Sequence, residues 1–471
     1  MIRGRGLFVL LVGALVVAGC TTTELPEGRD TTTTAASAPA PIGDTPEPSP
    51  LEWVACDGLE CATLTVPLDY ENPAAGELEL AVARRTSSGD DPIGTLVVNP
   101  GGPGGSGATY LRNGGGGELD DDFDVVSWDP RGVGGSRPLD CARDTSFFAL
   151  DPQPDDAAER AALERSARTM AAECARADLA LLSTLTTETA ARDLEQLRKA
   201  LGDEGLNYLG FSYGSHIGLL YAALFPNRIR AMTLDGVVDP RESLAEFLTG
   251  QAVAIEEVLG ENLTALREVA ARVEVDPLPS RTGTEVGPGT LGVAAFASIY
   301  RTTGEQQFTA ALDDARDGDG TALARLADTY LSSSSFAAYL GVLCIDGPRP
   351  MDVESWWNFI ETIEAAAPDL GASVGNELLP CAYWQVAPND AGSPIDWSPS
   401  LPPILLVAST RDAATPLDDA QRVEQDLPNA VLLVRNGPGH TSFGASRCVR
   451  DAVSTYLVDL VPPDKGTVCG S

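Results

Sequence analysis

The apolar positions of this chain follow two different periods, and the boundaries between them outline its architecture. Residues 61–66 and 78–84 alternate or cluster as strands do, and the turn-rich Asp69-Tyr70-Glu71-Asn72-Pro73 separates them. Short apolar runs at 94–98, 123–128, 206–211 and 229–234 predict further strands. Helical spacing intervenes over 155–180 and 187–201, and again at Ile217, Leu220, Tyr221 and Leu224 before Pro226. Strands alternating with helices predict an α/β fold, a mostly parallel sheet covered on both faces. After residue 240 the alternation stops. Helical periods run through 244–259, 262–271, 291–300, 308–315 and 321–331, and strand-like texture returns only at 403–408 and 430–434. The pattern predicts a discontinuous α/β core (residues 51–240 and 399–471), a mainly helical cap inserted at 241–398, and a cleft between them.

The N-terminus carries a different signal. Two arginines precede an apolar run at 7–18 and then Gly19-Cys20, the make-up of a bacterial export signal over residues 1–20. Val17-Ala18-Gly19-Cys20 also resembles the lipobox of bacterial lipoproteins. That likeness implies a lipidated, palmitate-bearing Cys20 and a tether to the extracytoplasmic face of the cell membrane, with plain secretion as the alternative. Residues 21–50, rich in Thr, Pro, Ala and Glu, cannot build a core and predict a disordered tether. No later stretch reaches the roughly twenty apolar residues that a membrane span needs.

Charge and cysteine content narrow the setting. A formal charge of −36 excludes nucleic acid as a partner, because a phosphate backbone would be repelled. Eight cysteines remain beyond Cys20, an even set that favours disulfides in an oxidising compartment. Proximity suggests Cys56–Cys61, Cys141–Cys174, Cys344–Cys381 and Cys448–Cys469, although eight thiols allow 105 pairings. With no C-x-x-C pair and two histidines, the sequence offers no metal cluster.

Candidate chemistry gathers around Gly210-Phe211-Ser212-Tyr213-Gly214, which stands between a strand and a helix as a nucleophile elbow does. A serine hydroxyl needs a base, and the base needs a group to orient it. His216 lies one turn into the elbow helix and is read as a packed or helix-surface residue. His440, in the loop Gly437-Pro438-Gly439-His440 after a strand, is the candidate base. Asp412 follows the 403–408 strand, one helix and one strand earlier, and is the candidate acid; Asp418 and Asp419 fall in or near the intervening helix. An alkoxide formed by attack would need two amides. The Tyr213 N–H is one, and the Gly-rich 101–104 loop supplies the other, Gly102 in preference to Gly101. That loop lacks the ending of a phosphate-binding loop. Arg131, Asp193 and Arg198 read as ion-paired braces between loops.

The order Ser…Asp…His is the one found in α/β-hydrolases. The stretches Asn99-Pro100-Gly101-Gly102-Pro103-Gly104, Asp129-Pro130-Arg131-Gly132, Gly210-Phe211-Ser212-Tyr213-Gly214 and Leu234-Asp235-Gly236 resemble the secreted tripeptidyl aminopeptidase branch of the prolyl aminopeptidase (S33) family. The segment from Pro403 through Asp412 and His440 to Cys469 resembles its TAP-like C-terminal region. The resemblance implies a serine peptidase that releases short peptides, often tripeptides, from free N-termini through an acyl-serine, without metal or organic cofactor. It places the triad on Ser212, Asp412 and His440. An envelope esterase or lipase acting on a small acyl substrate is the alternative. A peptidase must also hold a protonated amine, for which Asp239, Glu242, Glu246 and Asp346 are candidates.

Overall fold

Residues 47–333, 336–389 and 395–470 are described by the computed structural model. The export-signal and lipidation readings, Cys20 included, and the tether up to residue 46 lie outside the described residues. Ten strands form one sheet: β1 (Val54–Cys56), β2 (Leu59–Pro67), β3 (Glu77–Arg85), β4 (Gly94–Asn99), β5 (Phe123–Trp128), β6 (Leu206–Phe211), β7 (Ile229–Asp235), β8 (Ile404–Arg411), β9 (Ala430–Pro438) and β10 (Val468–Cys469). Their spatial order is β1-β2-β3-β5-β4-β6-β7-β8-β9-β10. The first three strands and the β3–β5 pair are antiparallel, and every pairing from β5 and β4 to β10 is parallel. This is the α/β-hydrolase fold, with an inserted helical region.

Side-chain alternation divides the core in two, as the strand period requires. Leu96, Val98, Leu405 and Val407 face one side, where they pack with Val449, Val453 and Tyr456 of the helix Arg447–Asp459. Val97, Met232, Leu234 and Leu406 face the other, against Leu194, Leu197 and Ile217 from the helices Thr187–Leu201 and Tyr213–Leu224. The second cluster continues without a break into Leu248, Ile255, Phe308 and Trp356 of the helices between β7 and β8. The inserted region is therefore built onto one face of the sheet by shared apolar burial.

Four disulfides are present: Cys56–Cys61, Cys141–Cys174, Cys344–Cys381 and Cys448–Cys469. They fit an oxidising, extracytoplasmic location. No helix among the described residues is long and apolar enough to cross a membrane.

Elements differ from the sequence reading in three places. The strand expected at 430–434 runs on to Pro438, pairing with β8 as far as Arg411 across a register shift, so the loop before His440 is shorter than expected. Helices Phe336–Leu343, Val353–Ala366 and Gly371–Glu377 complete the inserted region. The helix Arg447–Asp459 and the strands β1 and β10 were also not anticipated.

Candidate active site

β6 ends at Phe211 and the next helix begins at Tyr213, so the whole reversal falls on Ser212. Its φ of 55° and ψ of −124° are costly for a residue with a Cβ. The conformation is held from both sides. The Ser212 amide donates to the Asp235 carbonyl at 2.9 Å, and the Ser215 amide donates to the Ser212 carbonyl at 2.7 Å. A Cβ on Gly214 would lie 2.7 Å from the Asn99 carbonyl oxygen, so glycine is what lets the helix start this close to β4.

The Gly-rich loop rests on this elbow. Gly101 has φ 84°, and a Cβ there would meet the Phe211 carbonyl oxygen at 2.3 Å and Ser212 Cβ at 2.9 Å. The Gly101 amide is committed to Asn99 Oδ1 at 2.9 Å. The Gly102 amide has no acceptor among the described residues, and the Tyr213 amide stands at the first helical position, where no intrahelical acceptor exists. Gly102, Ser212 and Tyr213 all line one cleft.

Asp412 and His440 are brought together. His440 Nδ1 lies 2.9 Å from Asp412 Oδ2 and 3.0 Å from Oδ1. Asp412 Oδ1 accepts the Ala414 and Thr415 amides at 3.0 Å each, and the Thr415 hydroxyl donates to Oδ2 at 3.2 Å. Burial acts to lower the His440 imidazole, but the adjacent Asp412 carboxylate outweighs it and the group titrates above its ordinary value. His440 Nε2 is buried and makes no hydrogen bond, to Ser212 Oγ or to any other described atom. The Tyr300 ring meets the imidazole edge-on at 5.6 Å. Tyr300 and Thr415 also line the cleft that contains Ser212, so the imidazole packs directly behind that lining.

How a loop after β9 comes to lie beside an elbow after β6 rests on residues that sequence reasoning did not single out for this role. Asp235, at the end of β7, accepts the Ser442 amide at 2.9 Å and the Phe443 amide at 2.7 Å. This draws the His440 loop back across β8, a shift of two strand spacings or about 10 Å. Burial pushes the Asp235 carboxyl up to about 6, against the pull of those two amides and of His440. Arg435, buried in β9, holds the same loop from beneath, donating to the carbonyls of Pro438 (2.7 Å) and Gly439 (3.1 Å) and to Ser442 Oγ (3.1 Å). The signal for Arg435 was present as a lone charge inside the run Val431-Leu432-Leu433-Val434-Arg435.

The cleft spans about 720 Å³, open solvent at its mouth included. Sheet ends contribute Gly102, Ser212, Tyr213 and Thr415, and the inserted helices contribute Phe247, Gln251, Tyr300 and Tyr339. His216, read as a packed or helix-surface residue, is packed edge-on to Tyr213 with Nε2 buried, and its ring also lines this cleft. Of the candidate amine ligands, Asp239, Glu242 and Asp346 line the cleft, while Glu246 caps the Ser243 amide at 2.9 Å. Arg131 forms a buried two-point pair with Asp193 (2.6 and 2.8 Å) and binds the Pro67 carbonyl, a loop brace. Arg198 pairs with Glu195 in the same way.

Comparison with known proteins gives this arrangement its relatives. Residues 94–269 match the alpha/beta hydrolase fold family, and residues 367–469 match the TAP-like protein family. A serine protease, Hip1 of Mycobacterium tuberculosis, is 31% identical over 481 residues, covering 89% of this chain and 91% of that protein. The chain belongs to the α/β-hydrolase superfamily. Its C-terminal part is the TAP-like region of that superfamily. Two further relatives of this α/β-hydrolase are each 30% identical. One is the tripeptidyl aminopeptidase of Streptomyces coelicolor, over 86% of this chain and 82% of that protein. The other is carboxylesterase B of Mycobacterium tuberculosis, over 87% and 86%.

Proposed function

We propose that this α/β-hydrolase is an exported serine aminopeptidase that releases short peptides, tripeptides among them, from free N-termini. The observation that carries this reading is the shared cleft. A serine forced into a strained elbow and two amides without acceptors meet in a space that also holds carboxylates, and a carboxylate-paired imidazole packs behind the Tyr300 and Thr415 that line it. In the proposed reaction Ser212 Oγ attacks the scissile carbonyl as His440 Nε2 takes its proton, and Asp412 keeps Nδ1–H pointed away from the serine. The Gly102 and Tyr213 amides bind the resulting oxyanion. His440 then returns the proton to the leaving amine, and water, activated by the same imidazole, releases the peptide acid from Ser212. Residues 241–398 act as the cap that sets which peptides enter.

The relative named as a carboxylesterase supports the second reading, an envelope esterase with the same triad. A chromogenic tripeptide anilide and its N-acetyl form separate the two. The peptidase cleaves only the free amine, whereas an enzyme that prefers aryl esters and ignores both anilides refutes the peptidase reading. The lipoprotein part of the proposal rests on Val17-Ala18-Gly19-Cys20. Metabolic labelling with an alkynyl palmitate should mark the wild type and spare Cys20→Ser; equal labelling of both would remove the anchor.

A further inference from the structure

Asp412 is seated by a turn that the inserted helices also hold. The Thr415 amide donates to Asp412 Oδ1 at 3.0 Å, and the Ala414 carbonyl belongs to the same peptide group. That carbonyl accepts from Gln251 Nε2 at 2.8 Å. In a trans peptide the N–H and C=O point to opposite sides, so the group is gripped between the carboxylate and the glutamine. A donor on the carbonyl also polarises the peptide and strengthens its N–H. Gln251, the peptide, Asp412 and His440 therefore form one continuous chain of hydrogen bonds, closed by the 2.9 Å contact between Asp412 Oδ2 and His440 Nδ1.

For stability alone Gln251 is a poor choice. It is 4% exposed, on the helix Leu244–Leu259. Only its NH2 end can face a carbonyl, which leaves its own Oε1 buried and without a partner among the described residues. Burying an unpaired acceptor costs at least what one neutral hydrogen bond returns, and an apolar side chain of the same length avoids that cost. What the glutamine supplies is a fixed place for the Ala414 carbonyl.

The other end of the turn is tied to the same helix. The Arg411 guanidinium donates to the Val258 carbonyl at 3.1 Å and pairs with Glu305 at 2.8 Å. Val258 stands seven residues after Gln251, hence on the same helix face. The Arg411 carbonyl in turn accepts the Gly439 amide at 3.2 Å, which links the acid turn to the histidine loop. That loop meets the inserted region as well, since a Cβ on Gly439 would stand 2.9 Å from Thr302 N and Cα. The Arg411–Glu305 pair is partly exposed and screened by water, so the buried Gln251 bond is the firmer of the two ties.

We propose that Gln251 is a positioning residue for Asp412: it seats the 412–415 turn and, through that carboxylate, orients His440. Although an inserted helix carries it, Gln251 works with the sheet ends. The inference rests on the triad reading and not on the choice between peptidase and esterase. The test measures hydrolysis of an aryl acetate and of a tripeptide anilide by wild type, Gln251→Met, Gln251→Asn and Glu305→Gln. Methionine keeps the length and loses the donor, whereas asparagine keeps the donor and falls one methylene short of Ala414. Each Gln251 variant should lower kcat about 3- to 10-fold on every substrate turned over, with KM little changed. Burial lowers the His440 imidazole while Asp412 raises it, so a less firmly seated carboxylate should also move the acid limb of kcat/KM down toward the ordinary imidazole value. Glu305→Gln should change kcat least. A purely structural glutamine predicts a lower Tm with kcat and the acid limb intact, and one that touches substrate predicts a rise in KM instead; either result overturns the inference. If Gln251→Met fails to fold, Gln251→Asn decides by the same readouts. Hydrolysis that survives Ser212→Ala defeats the triad reading itself. Hydrolysis that needs Ser212 but ignores both Gln251 variants leaves that reading standing and removes Gln251 from it.

Discussion

Two buried carboxyls flank the candidate site, one on the sheet side and one in the inserted helices, and they are held in opposite ways. Asp235 sits at the end of β7 and accepts backbone amides of Ser442 and Phe443. Glu377 lies at the end of the helix Gly371–Glu377 and accepts only phenols, from Tyr330 at 2.9 Å and Tyr339 at 3.3 Å. Burial raises Glu377 to about 7 against those two phenols, and Asp235 to about 6. Amides pin a backbone, whereas phenols join side chains that can repack. The sheet side therefore fixes where reacting atoms stand, and the helical side shapes the room around them. Tyr300 joins the two, stacked on Tyr330 at 5.9 Å and edge-on to His440.

If this division is right, changes on the sheet side cost rate and changes on the helical side cost specificity or stability. The largest effect is expected from Ser212→Ala or His440→Ala. Each should lower kcat by several orders of magnitude, the double variant little more, and Ser212→Ala should abolish labelling by a fluorophosphonate. Labelling that survived Ser212→Ala would remove the nucleophile from the comparison altogether. Next comes Gly101→Ala, whose methyl collides with the Phe211 carbonyl. By displacing the Gly102 amide it should cost about 3 kcal/mol of transition-state stabilisation, read as a hundredfold or greater fall in kcat.

Asp235→Ala should release the His440 loop and lower kcat roughly tenfold or more, with KM much less affected. A change confined to KM would put Asp235 on the wrong side of the divide. Glu377→Gln sharpens the contrast through stability. A carboxyl raised from its unfolded value to about 7 stabilises the fold below the unfolded value and loses that contribution as pH rises through 7. The variant should therefore gain up to about 3 kcal/mol at pH 8 relative to wild type and lose most of this pH dependence, measured by urea unfolding. The smallest effect is a shift in profile. Because Asp412 holds His440 above its ordinary value, the acid limb of kcat/KM should fall above pH 6.5, where the base gains its proton.

The same division governs what the sequence disclosed. Sheet elements were legible because each strand announces itself as a short apolar run; β5, β6 and the helix Thr187–Leu201 have the bounds that the pattern predicts. Asp412 and His440 were legible because each follows a strand by a few residues. Asp235 stood in plain view in Leu234-Asp235-Gly236, but its amide partners lie 207 and 208 residues later, a pairing no local pattern encodes. Within the inserted region, Phe336–Leu343 is buried nearly all round and shows no amphipathic period, and Gly371–Glu377 is short and glycine-bearing. His216 packs as its place on the helix suggested, but nothing local showed which side the cleft would occupy.

The Cys344–Cys381 bond joins the segment carrying Asp346 to the turn that follows Glu377. It is the one crosslink of the four whose two ends both stand within a few residues of a cleft or tyrosine-cluster carboxyl. Both sulfurs are fully buried, so the tie is structural, and opening it by the paired change Cys344→Ser and Cys381→Ser should loosen the helical wall of the cleft while leaving the sheet ends in place.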